Sequence, residues 1–456
     1  MNNSFNFYFL GIGGIGMSAL ARYFNAKGFK IGGYDRVPTP LTAGLQAEGI
    51  EITFDENLAA LPADFTHPKS TLVVLTPAVP ENHPQLVYFR ENNFTIQKRA
   101  QILGEITRQK KGICIAGTHG KTTTSTIAAH LFYQSQVSCN AFLGGIANNY
   151  STNLLLSEKS DFVVIEADEY DRSFHQLTPF MAVITSMDAD HLDIYETEKA
   201  FRESFEHFAS LIRSGGVLIV RQGIELHPKL QEKVKTYSYS MSDGGDFHAE
   251  NLRHENDRIY FDFVAPTARI EDLYLSDPIL INVENSVAAI ALAWLNGVAE
   301  EEIRTGISSF SGIHRRFNTV YKSEKIVYID DYAHHPAELR ASINSIKKLY
   351  PDRRITGIFQ PHLYSRTRDF AKEFAEELSQ LDELILLDIY PARELPIEGV
   401  SSEILLNNVK LKNKILCSKE NLLSLLKQKK LELLVTFGAG DIDRLVPKIK
   451  EMLSHP

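Results

Sequence analysis

Short apolar runs recur along this chain, and most of them end in a glycine-rich or polar turn that leads into an amphipathic segment. Runs of this length, bounded by turn residues, are typical of buried strands. Strands are predicted at residues 6–10, 30–34, 71–75, 112–116, 162–165, 182–186, 217–220, 235–240, 259–264, 325–329, 355–359, 383–388 and 433–437. Helices are predicted at residues 17–26, 101–111, 125–132, 280–294, 337–349, 369–378 and 420–428. This alternation indicates an α/β protein with parallel sheets.

The 456 residues are enough for several domains, and two stretches suggest boundaries. One is the polar segment that ends in Lys110, Lys111 and Gly112, and the other is the hinge-like segment 311–317. The predicted organisation is a Rossmann-like N-terminal domain (residues 1–108), a central P-loop ATPase-like α/β domain (109–313) and a C-terminal Rossmann-like α/β domain (314–456).

The strongest chemical signal follows the predicted strand 112–116. It comprises Gly117, Thr118, His119, Gly120, Lys121, Thr122 and Thr123, directly before a predicted helix. Glycines let backbone N–H groups approach phosphate oxygens, and a lysine followed by threonine suits β- and γ-phosphates and a magnesium ion. The strict P-loop pattern has glycine at the position that Ile115 occupies, so the loop is a shortened form. A glycine- and threonine-rich turn that merely caps a helix is the alternative.

A second glycine-rich turn follows the first strand. Gly11, Gly13 and Gly16, with Gly14 between them, fit the dinucleotide-binding pattern in its strand–turn–helix context. Asp35 stands at the end of the next strand, where such folds contact a ribose hydroxyl. An NAD-dependent oxidoreductase, a protein that binds another nucleotide diphosphate, and a turn without a ligand are all compatible with this motif.

Two apolar strands release acidic residues at their carboxyl ends. Glu166, Asp168 and Glu169 follow one, and the segment 187–193, which contains His191, follows the other. Carboxylates beside a phosphate loop can hold magnesium, whereas a solvated acidic loop is the plainer interpretation.

Other polar residues occupy turns and element ends. Thr76 ends a strand, and Thr152 and Asn153 follow a turn from which they could contact substrate or simply close the chain. Asn282 and Asn285 begin an apolar helix, where they could cap it or bind an adenine edge. In the third domain His334, His362 and Arg366 follow strands, where basic groups can bind carboxylate or phosphate charge.

The amino-acid composition limits which binding partners and which cell compartment are expected. The net charge of −9 disfavours nucleic acid or an anionic membrane as the main partner. The three cysteines lack metal spacing, and neither a signal-peptide pattern nor a membrane-spanning apolar stretch is visible. The sequence therefore predicts a cytoplasmic protein, monomeric or homodimeric.

These motifs together resemble the Mur ligases, the ATP-dependent amide-bond ligases of peptidoglycan precursor synthesis. The resemblance spans all three predicted domains, and the phosphate loop with the N-terminal glycine motif and the stretch 359–368 is similar to the alanine-adding branch. It implies binding of UDP-N-acetylmuramate, ATP, Mg²⁺ and L-alanine, an acyl phosphate formed from the lactyl carboxylate, and attack on it by the amine of alanine.

The resemblance also implies roles for individual residues. Lys121 neutralises the transferring phosphoryl group, Thr122 and Glu166 hold one magnesium ion, and Glu166 with His191 holds a second. Asn282, Asn285 and Arg315 belong to the nucleotide site, and His334, His362 and Arg366 to the amino acid and the transferring phosphate. The UDP-sugar site implied by the family comprises Gly11, Gly13, Gly14, Gly16, Asp35, Thr76, Thr152 and Asn153.

Two positions depart from the family pattern. Ile281 stands where a histidine is frequent, and Leu363 where an arginine is frequent. The related ligase that attaches a recycled tripeptide to the same sugar nucleotide is the nearest alternative, and the NAD-dependent oxidoreductase is an alternative of another class.

Overall fold

The chain forms two compact units, Met1–Ser311 and Gly312–Pro456, in a computed structural model. The structure describes residues 5–188, 192–242, 244–255, 258–276, 279–392 and 394–454. Among the helices in these ranges, none combines the length and the apolar character needed to cross a bilayer.

The first unit begins with a five-stranded parallel sheet in the order β3-β2-β1-β4-β5. Its elements are β1 (Asn6–Leu10), α1 (Ile15–Ala26), β2 (Ile31–Tyr34), α2 (Pro40–Ala47), β3 (Glu51–Thr53), β4 (Thr71–Leu75), α3 (Pro84–Glu91), β5 (Thr95–Lys98) and α4 (Arg99–Gln109). Apolar side chains on both faces of β1 are fully buried, as expected for a central parallel strand.

A ten-stranded mixed sheet follows in the same unit. Its strands are β6 (Lys111–Ala116), β7 (Asn140–Ala147), β8 (Thr152–Leu155), β9 (Phe162–Glu166), β10 (Met181–Ile184), β11 (Val217–Arg221), β12 (Lys235–Ser240), β13 (Phe247–Glu255), β14 (Arg258–Ala265) and β15 (Ala268–Leu275). The accompanying helices are α5 (Lys121–Tyr133), α6 (Leu192–Tyr195), α7 (Glu198–Ser210), α8 (Leu280–Leu295) and α9 (Glu300–Ser309). The strand order is β15-β14-β13-β12-β11-β10-β6-β9-β7-β8.

The two sheets of this unit share a hydrophobic core. Helix α1 packs on β7 and β8, and the ring centroids of Tyr23 and Phe142 lie 5.2 Å apart at this contact. The packing brings the glycine turn before α1 to the same side as the carboxyl end of β9, which positions the candidate site.

The second unit carries a six-stranded sheet in the order β16-β17-β21-β18-β19-β20, parallel except for β16. Its strands are β16 (Asn318–Lys322), β17 (Val327–Asp331), β18 (Ile355–Phe359), β19 (Glu383–Leu386), β20 (Lys414–Leu416) and β21 (Leu433–Phe437). Its helices are α10 (Pro336–Leu349), α11 (Tyr364–Asp369), α12 (Ala371–Leu378), α13 (Ser402–Asn408), α14 (Lys419–Leu426) and α15 (Val446–Ser454).

Several predicted elements need correction. The helix expected to reach residue 111 ends at Gln109, because Lys111 already pairs with Phe162 as the first residue of β6. The helix expected at residues 369–378 is α12 and begins at Ala371, since Phe370 has a non-helical backbone and packs its ring against His335. Helix α11 before it was not predicted. The strands β3, β5, β8, β13, β15, β16 and β20 were not predicted either. The division of the first unit into domains at residue 108 stays a prediction.

Candidate functional site

The phosphate loop joins β6 to α5, and two of its glycines are required by the backbone. Gly117 has φ of +138°, and a Cβ atom there would lie 2.1 Å from Oγ1 of Thr185. Gly120 has φ of +81°, a left-handed conformation that glycine adopts without steric cost. Helix α5 begins at Lys121, four residues earlier than predicted, so the loop ends on a helix N-terminus.

The loop is also tied to the neighbouring strand β10. The backbone N–H of His119 donates to Oγ of Ser186 at 2.7 Å, and Oγ1 of Thr185 donates to the carbonyl of His119 at 2.5 Å. The hydroxyl of Thr118 donates to the carbonyl of Asp188 at 2.8 Å. These bonds fix the shape of the loop.

Lys121 lies inside the loop and is paired with a carboxylate. Its Nζ donates to the Gly117 carbonyl at 2.6 Å and lies 2.8 Å from Oε1 of Glu169. Burial by itself lowers the pKa of Lys121, but the carboxylates of Glu169, Glu166 and Asp168 outweigh it and raise that pKa. The ammonium group is therefore charged and held within the loop. From the sequence alone, Glu169 has no role beyond its place in the acidic cluster.

Thr122 meets the acidic end of β9, as the metal hypothesis requires. Its Oγ1 donates to Oε2 of Glu166 at 2.9 Å. A Cβ atom on Gly144 would lie 1.8 Å from this same carboxylate oxygen, so only glycine leaves room for it. Thr123 lies in the first turn of α5 beside this pair, with its side chain partly exposed.

The oxygen atoms of Thr122 and Glu166 fit a magnesium ion. Both are hard donors, and their 2.9 Å separation matches the edge of an octahedron with metal–oxygen bonds of about 2.0–2.1 Å. Within the described ranges no three His, Cys, Asp or Glu side chains converge as a complete metal site. His191, the third predicted ligand, lies outside the described residues.

Asn282 and Asn285 do not cap α8. The N-cap is Ile279, without a side-chain cap bond, and both asparagines are buried within the helix. The hydroxyl of Thr124 donates to Oδ1 of Asn285 at 3.1 Å, and Nδ2 of Asn285 donates to Oδ1 of Asn282 at 3.2 Å. Both asparagines therefore stand behind the phosphate loop, where capping does not explain them.

The N-terminal glycine turn is shaped by its neighbours. Gly11 has φ of +82°, and a Cβ atom there would lie 2.5 Å from Cγ2 of Thr76. The N–H of Gly13 donates to Oδ2 of Asp35 at 2.7 Å, so this carboxylate binds the turn itself. Gly14 is the N-cap of α1 and offers no side chain to its free N–H groups.

Asn153 and Thr152 lie in β8 and not in a turn. Nδ2 of Asn153 donates to the Ile15 carbonyl at 2.6 Å, and Oδ1 accepts from Arg22 at 2.6 Å. The amide, which is fully buried, thus ties the second sheet to α1. Thr152, which is partly exposed, accepts the N–H of Leu154 at 3.3 Å.

A cavity of about 260 Å³ connects the glycine turn to the end of β9. Gly14, Gly16 and Thr76 line one side, and Gly144 and Glu166 line the other. The structure therefore brings the predicted sugar-nucleotide turn and the predicted metal-binding carboxylate together around one space.

The basic residues predicted in the third domain cluster within the second unit. The rings of His334 and His362 lie 5.9 Å apart, and Nδ1 of His334 lies 3.2 Å from Oε2 of Glu338. Burial lowers the pKa of His334 to about 4, with the charges of Arg366 and Arg316 acting in the same direction, so its imidazole is neutral at pH 7. No carboxylate in the described part of this unit forms an ion pair with Arg366.

Arg315 is held by its own unit. Its Nη2 donates to the Gly438 carbonyl at 2.7 Å, and Nε and Nη1 each lie 3.5 Å from a carboxylate oxygen, of Asp330 and Asp443. Only 14% of its side chain is exposed. Its predicted contact with nucleotide stays a prediction.

Three models of one family match successive parts of the chain. They are described as "Mur ligase family, catalytic domain" over residues 6–111, "Mur ligase middle domain" over residues 115–293 and "Mur ligase, glutamate ligase domain" over residues 315–440. Together they cover most of the 456 residues.

Known proteins are similar over nearly the whole length. The UDP-N-acetylmuramate–L-alanine ligase of Parabacteroides distasonis is 59% identical over 446 residues, which are 98% of this chain and 96% of the relative. The crystal structure of UDP-N-acetylmuramate-alanine ligase from Thermotoga maritima matches with a TM-score of 0.84 and 26% identity, covering 98% of this chain and 99% of that one. A murein peptide ligase from Psychrobacter arcticus has the same fold, with a TM-score of 0.72, 20% identity and 99% of each chain covered.

These matches confirm the predicted three-domain α/β fold class. The level of identity and the coverage also exceed what a shared fold alone would give. By its family models and its relatives, the chain belongs to the Mur ligase family.

Proposed function

We propose that this protein joins L-alanine to the lactyl carboxylate of UDP-N-acetylmuramate, with conversion of ATP to ADP and phosphate, in peptidoglycan precursor synthesis. The observation that carries the proposal is the shared cavity, because Gly14 and Glu166 line the same space. A sugar nucleotide held at the glycine turn therefore has its acyl end beside the residues suited to phosphate and metal. Relatives that bear this activity in their name match along the whole chain.

The first step is phosphoryl transfer to the carboxylate. A lactyl carboxylate oxygen bonds to the γ-phosphorus as the bond to the ADP oxygen breaks, which gives an acyl phosphate and ADP. Lys121, already charged and pointing into the loop, neutralises charge on the transferring group. Thr122 and Glu166 would hold Mg²⁺, which would supply further neutralisation of the triphosphate. Positioning and charge neutralisation are the main contributions a protein makes to such a step.

The second step forms the amide. The neutral amine of L-alanine attacks the acyl carbon, the tetrahedral intermediate collapses, and phosphate leaves while the nitrogen loses a proton. Arg366 and His362, in the second unit, bind the amino acid carboxylate. The imidazole of His334, in the same unit, is neutral at pH 7, since burial keeps its pKa near 4.

The nucleotide site is built from the loop and from α8. Asn285 accepts a hydrogen bond from the hydroxyl of Thr124 directly behind the loop and donates one to Asn282, which supports a role for both in the nucleotide site. Ile281 precedes Asn282 and is exposed. Its side chain is apolar, so it adds no polar group there. Both asparagines are therefore proposed to position the nucleotide from the helix side.

The alternatives explain less of the chain. An NAD-dependent oxidoreductase would use the glycine turn but leave the buried Lys121 and the pair of Thr122 and Glu166 without a purpose. A ligase for a recycled tripeptide would share the same first step, so the choice between it and the alanine ligase depends on the amino substrate.

Phosphate release by the purified protein distinguishes these functions. ATP, Mg²⁺ and UDP-N-acetylmuramate are supplied with L-alanine, glycine, L-serine or the tripeptide L-alanyl-γ-D-glutamyl-meso-diaminopimelate. We expect turnover to be fastest with L-alanine and to require the sugar nucleotide. Turnover with the tripeptide and none with L-alanine would overturn the assignment, and tight NADH binding without phosphate release would favour the oxidoreductase.

A further inference from the structure

Arg99 is a cation in a cavity that otherwise has acidic charge. Of the described residues that line the cavity between the glycine turn and β9, Arg99 alone is positive, whereas Glu166 and Asp168 are negative. An anionic sugar nucleotide entering this space meets two carboxylates and one guanidinium group. Without Arg99 the side chains of the cavity would repel such a ligand.

The charge of Arg99 does not stabilise its own helix. It is the first residue of α4, and a positive charge at a helix N-terminus interacts unfavourably with the helix dipole. The first turn of α4 holds no acidic residue to offset this charge. A cation at this place is better explained by a ligand than by the helix.

The glycine turn makes room for this side chain. A Cβ atom on Gly16 would lie 2.6 Å from Nη1 of Arg99 and 3.1 Å from its Cδ. The third glycine of the motif thus lets the guanidinium group lie against the start of α1. Arg99 and the residues that begin α1 therefore line the same cavity.

The ion partner of Arg99 in this structure is one that a ligand can replace. Nη2 of Arg99 lies 3.1 Å from Oδ2 of Asp168, with 22% and 37% of the two side chains exposed. Partly exposed pairs of this kind contribute little to stability, so exchange of the carboxylate for a stronger anion costs little. Arginine binds both phosphate and carboxylate groups with two parallel hydrogen bonds.

We infer that Arg99 binds an anionic group of the sugar nucleotide, the diphosphate or the lactyl carboxylate, in exchange for Asp168. The inference rests on the proposed function, because it assigns a binding residue to that substrate. It predicts that the two members of the ion pair affect binding in opposite directions. Removing Arg99 weakens binding of the sugar nucleotide, and removing the charge of Asp168 leaves it unchanged or strengthens it.

Calorimetric titration of UDP-N-acetylmuramate into the full chain tests this inference. The variants are Arg99→Gln, Arg99→Lys and Asp168→Asn, and Lys98→Gln is the matched control. Lys98 is the neighbouring cation, but it pairs with Asp171 and is not part of the cavity lining. We expect Arg99→Gln to raise the Kd about tenfold or more, Arg99→Lys to recover part of the loss, and Lys98→Gln to leave it within about twofold. Binding of an ATP analogue and the melting temperature are measured for each variant.

A second ligand identifies the anionic group. UDP-N-acetylglucosamine has the diphosphate but lacks the lactyl carboxylate. Equal losses for both sugar nucleotides with Arg99→Gln assign the guanidinium to the diphosphate, and a loss confined to UDP-N-acetylmuramate assigns it to the carboxylate.

Three outcomes would overturn the inference. An unchanged Kd for Arg99→Gln would exclude Arg99 from the site while leaving the proposed function intact. Equal losses of binding with Arg99→Gln and Asp168→Asn would show that the ion pair acts only as a structural unit. If the wild-type chain itself failed to bind UDP-N-acetylmuramate, both the inference and the proposed function would fall.

Discussion

The ammonium nitrogen of Lys121 lies 2.8 Å from Oε1 of Glu169, whose side chain is only 2% exposed. The lysine proposed to bind phosphate is thus paired with a carboxylate. Removing one member of a buried pair leaves the other charge without compensation. Glu169 therefore stabilises the loop through its ion pair with Lys121.

The first prediction concerns this pair. Glu169→Gln should lower the free energy of unfolding by roughly 3 kcal/mol, because the largely buried Lys121 would lose its nearest counter-charge. A saturating ATP analogue should restore part of the loss, since its phosphates would supply that charge. Urea denaturation measures both values. Glu203→Gln is the control, because Glu203 is exposed and lies 3.7 Å from the exposed Lys199. Equal effects of the two substitutions would contradict the account.

The second prediction separates the chemistry from sugar-nucleotide binding. Lys121→Ala should reduce phosphate release by about 10²-fold or more, because a positive group aimed at the transferring phosphoryl is lost. The Kd for UDP-N-acetylmuramate should stay within about twofold, since Lys121 is not part of the cavity lining. Lys199→Ala, at an exposed position, serves as the control in both assays. Loss of sugar-nucleotide binding in Lys121→Ala would contradict the separation of the two sites.

The third prediction concerns the space around Glu166. In Gly144→Ala the new Cβ atom would lie 1.8 Å from Oε2 of Glu166, so the carboxylate must move away from Thr122. The Mg²⁺ concentration needed for half-maximal turnover should rise, and Glu166→Gln should raise it in the same direction or abolish turnover. Gly44→Ala is the control, because Gly44 lies within α2 with no atom closer than 3.4 Å to the added methyl. An unchanged magnesium requirement in both variants would remove Glu166 from the metal site.

The fourth prediction is a dependence of stability on pH. The pKa of His334 is about 4 in the folded chain against an ordinary 6.5, so the unfolded chain binds the extra proton first as the pH falls. The imidazole is neutral in both the folded and the unfolded chain above about pH 7. As the pH falls from 6.5 towards 4, its protonation in the unfolded chain lowers the free energy of unfolding by up to about 3 kcal/mol.

Replacing the imidazole tests this sign directly. His334→Gln should lose less stability than the wild type between pH 7 and pH 4.5, measured by denaturant unfolding at both values. His227→Gln, at an exposed position, should behave as the wild type. A variant at position 334 that loses as much stability on acidification as the wild type would show that His334 is not buried in its neutral form.

Some strands were predictable to the residue, and others were not predicted at all. β1, β4 and β21 have the predicted bounds, and every position in them except Asn6 is apolar or buried. β13 carries Glu250, Arg253 and Glu255 at exposed or partly exposed positions and pairs antiparallel with β14, so its sequence lacks a continuous apolar signal. Its pairing depends on a neighbour that periodicity alone does not specify.

The site could be predicted as a set of motifs but not as a set of contacts. The loop 117–123 and Glu166 stand out in the sequence, and the structure joins them through Thr122. Glu169, by contrast, looks like any other residue of an acidic cluster until the fold brings it to Lys121. Capping, one of the two roles considered for the asparagines of α8, is excluded because both lie inside the helix, whose N-cap is Ile279.

Transfer of oxygen from substrate to phosphate tests the central claim most directly. UDP-N-acetylmuramate labelled with ¹⁸O in the lactyl carboxylate is turned over with ATP and L-alanine, and the released nucleotide and phosphate are analysed by mass spectrometry. If ATP bound at the loop of Lys121 and Thr122 phosphorylates the carboxyl group, each inorganic phosphate carries one labelled oxygen and the nucleotide is unlabelled ADP. Unlabelled phosphate, or label in AMP, would contradict the account.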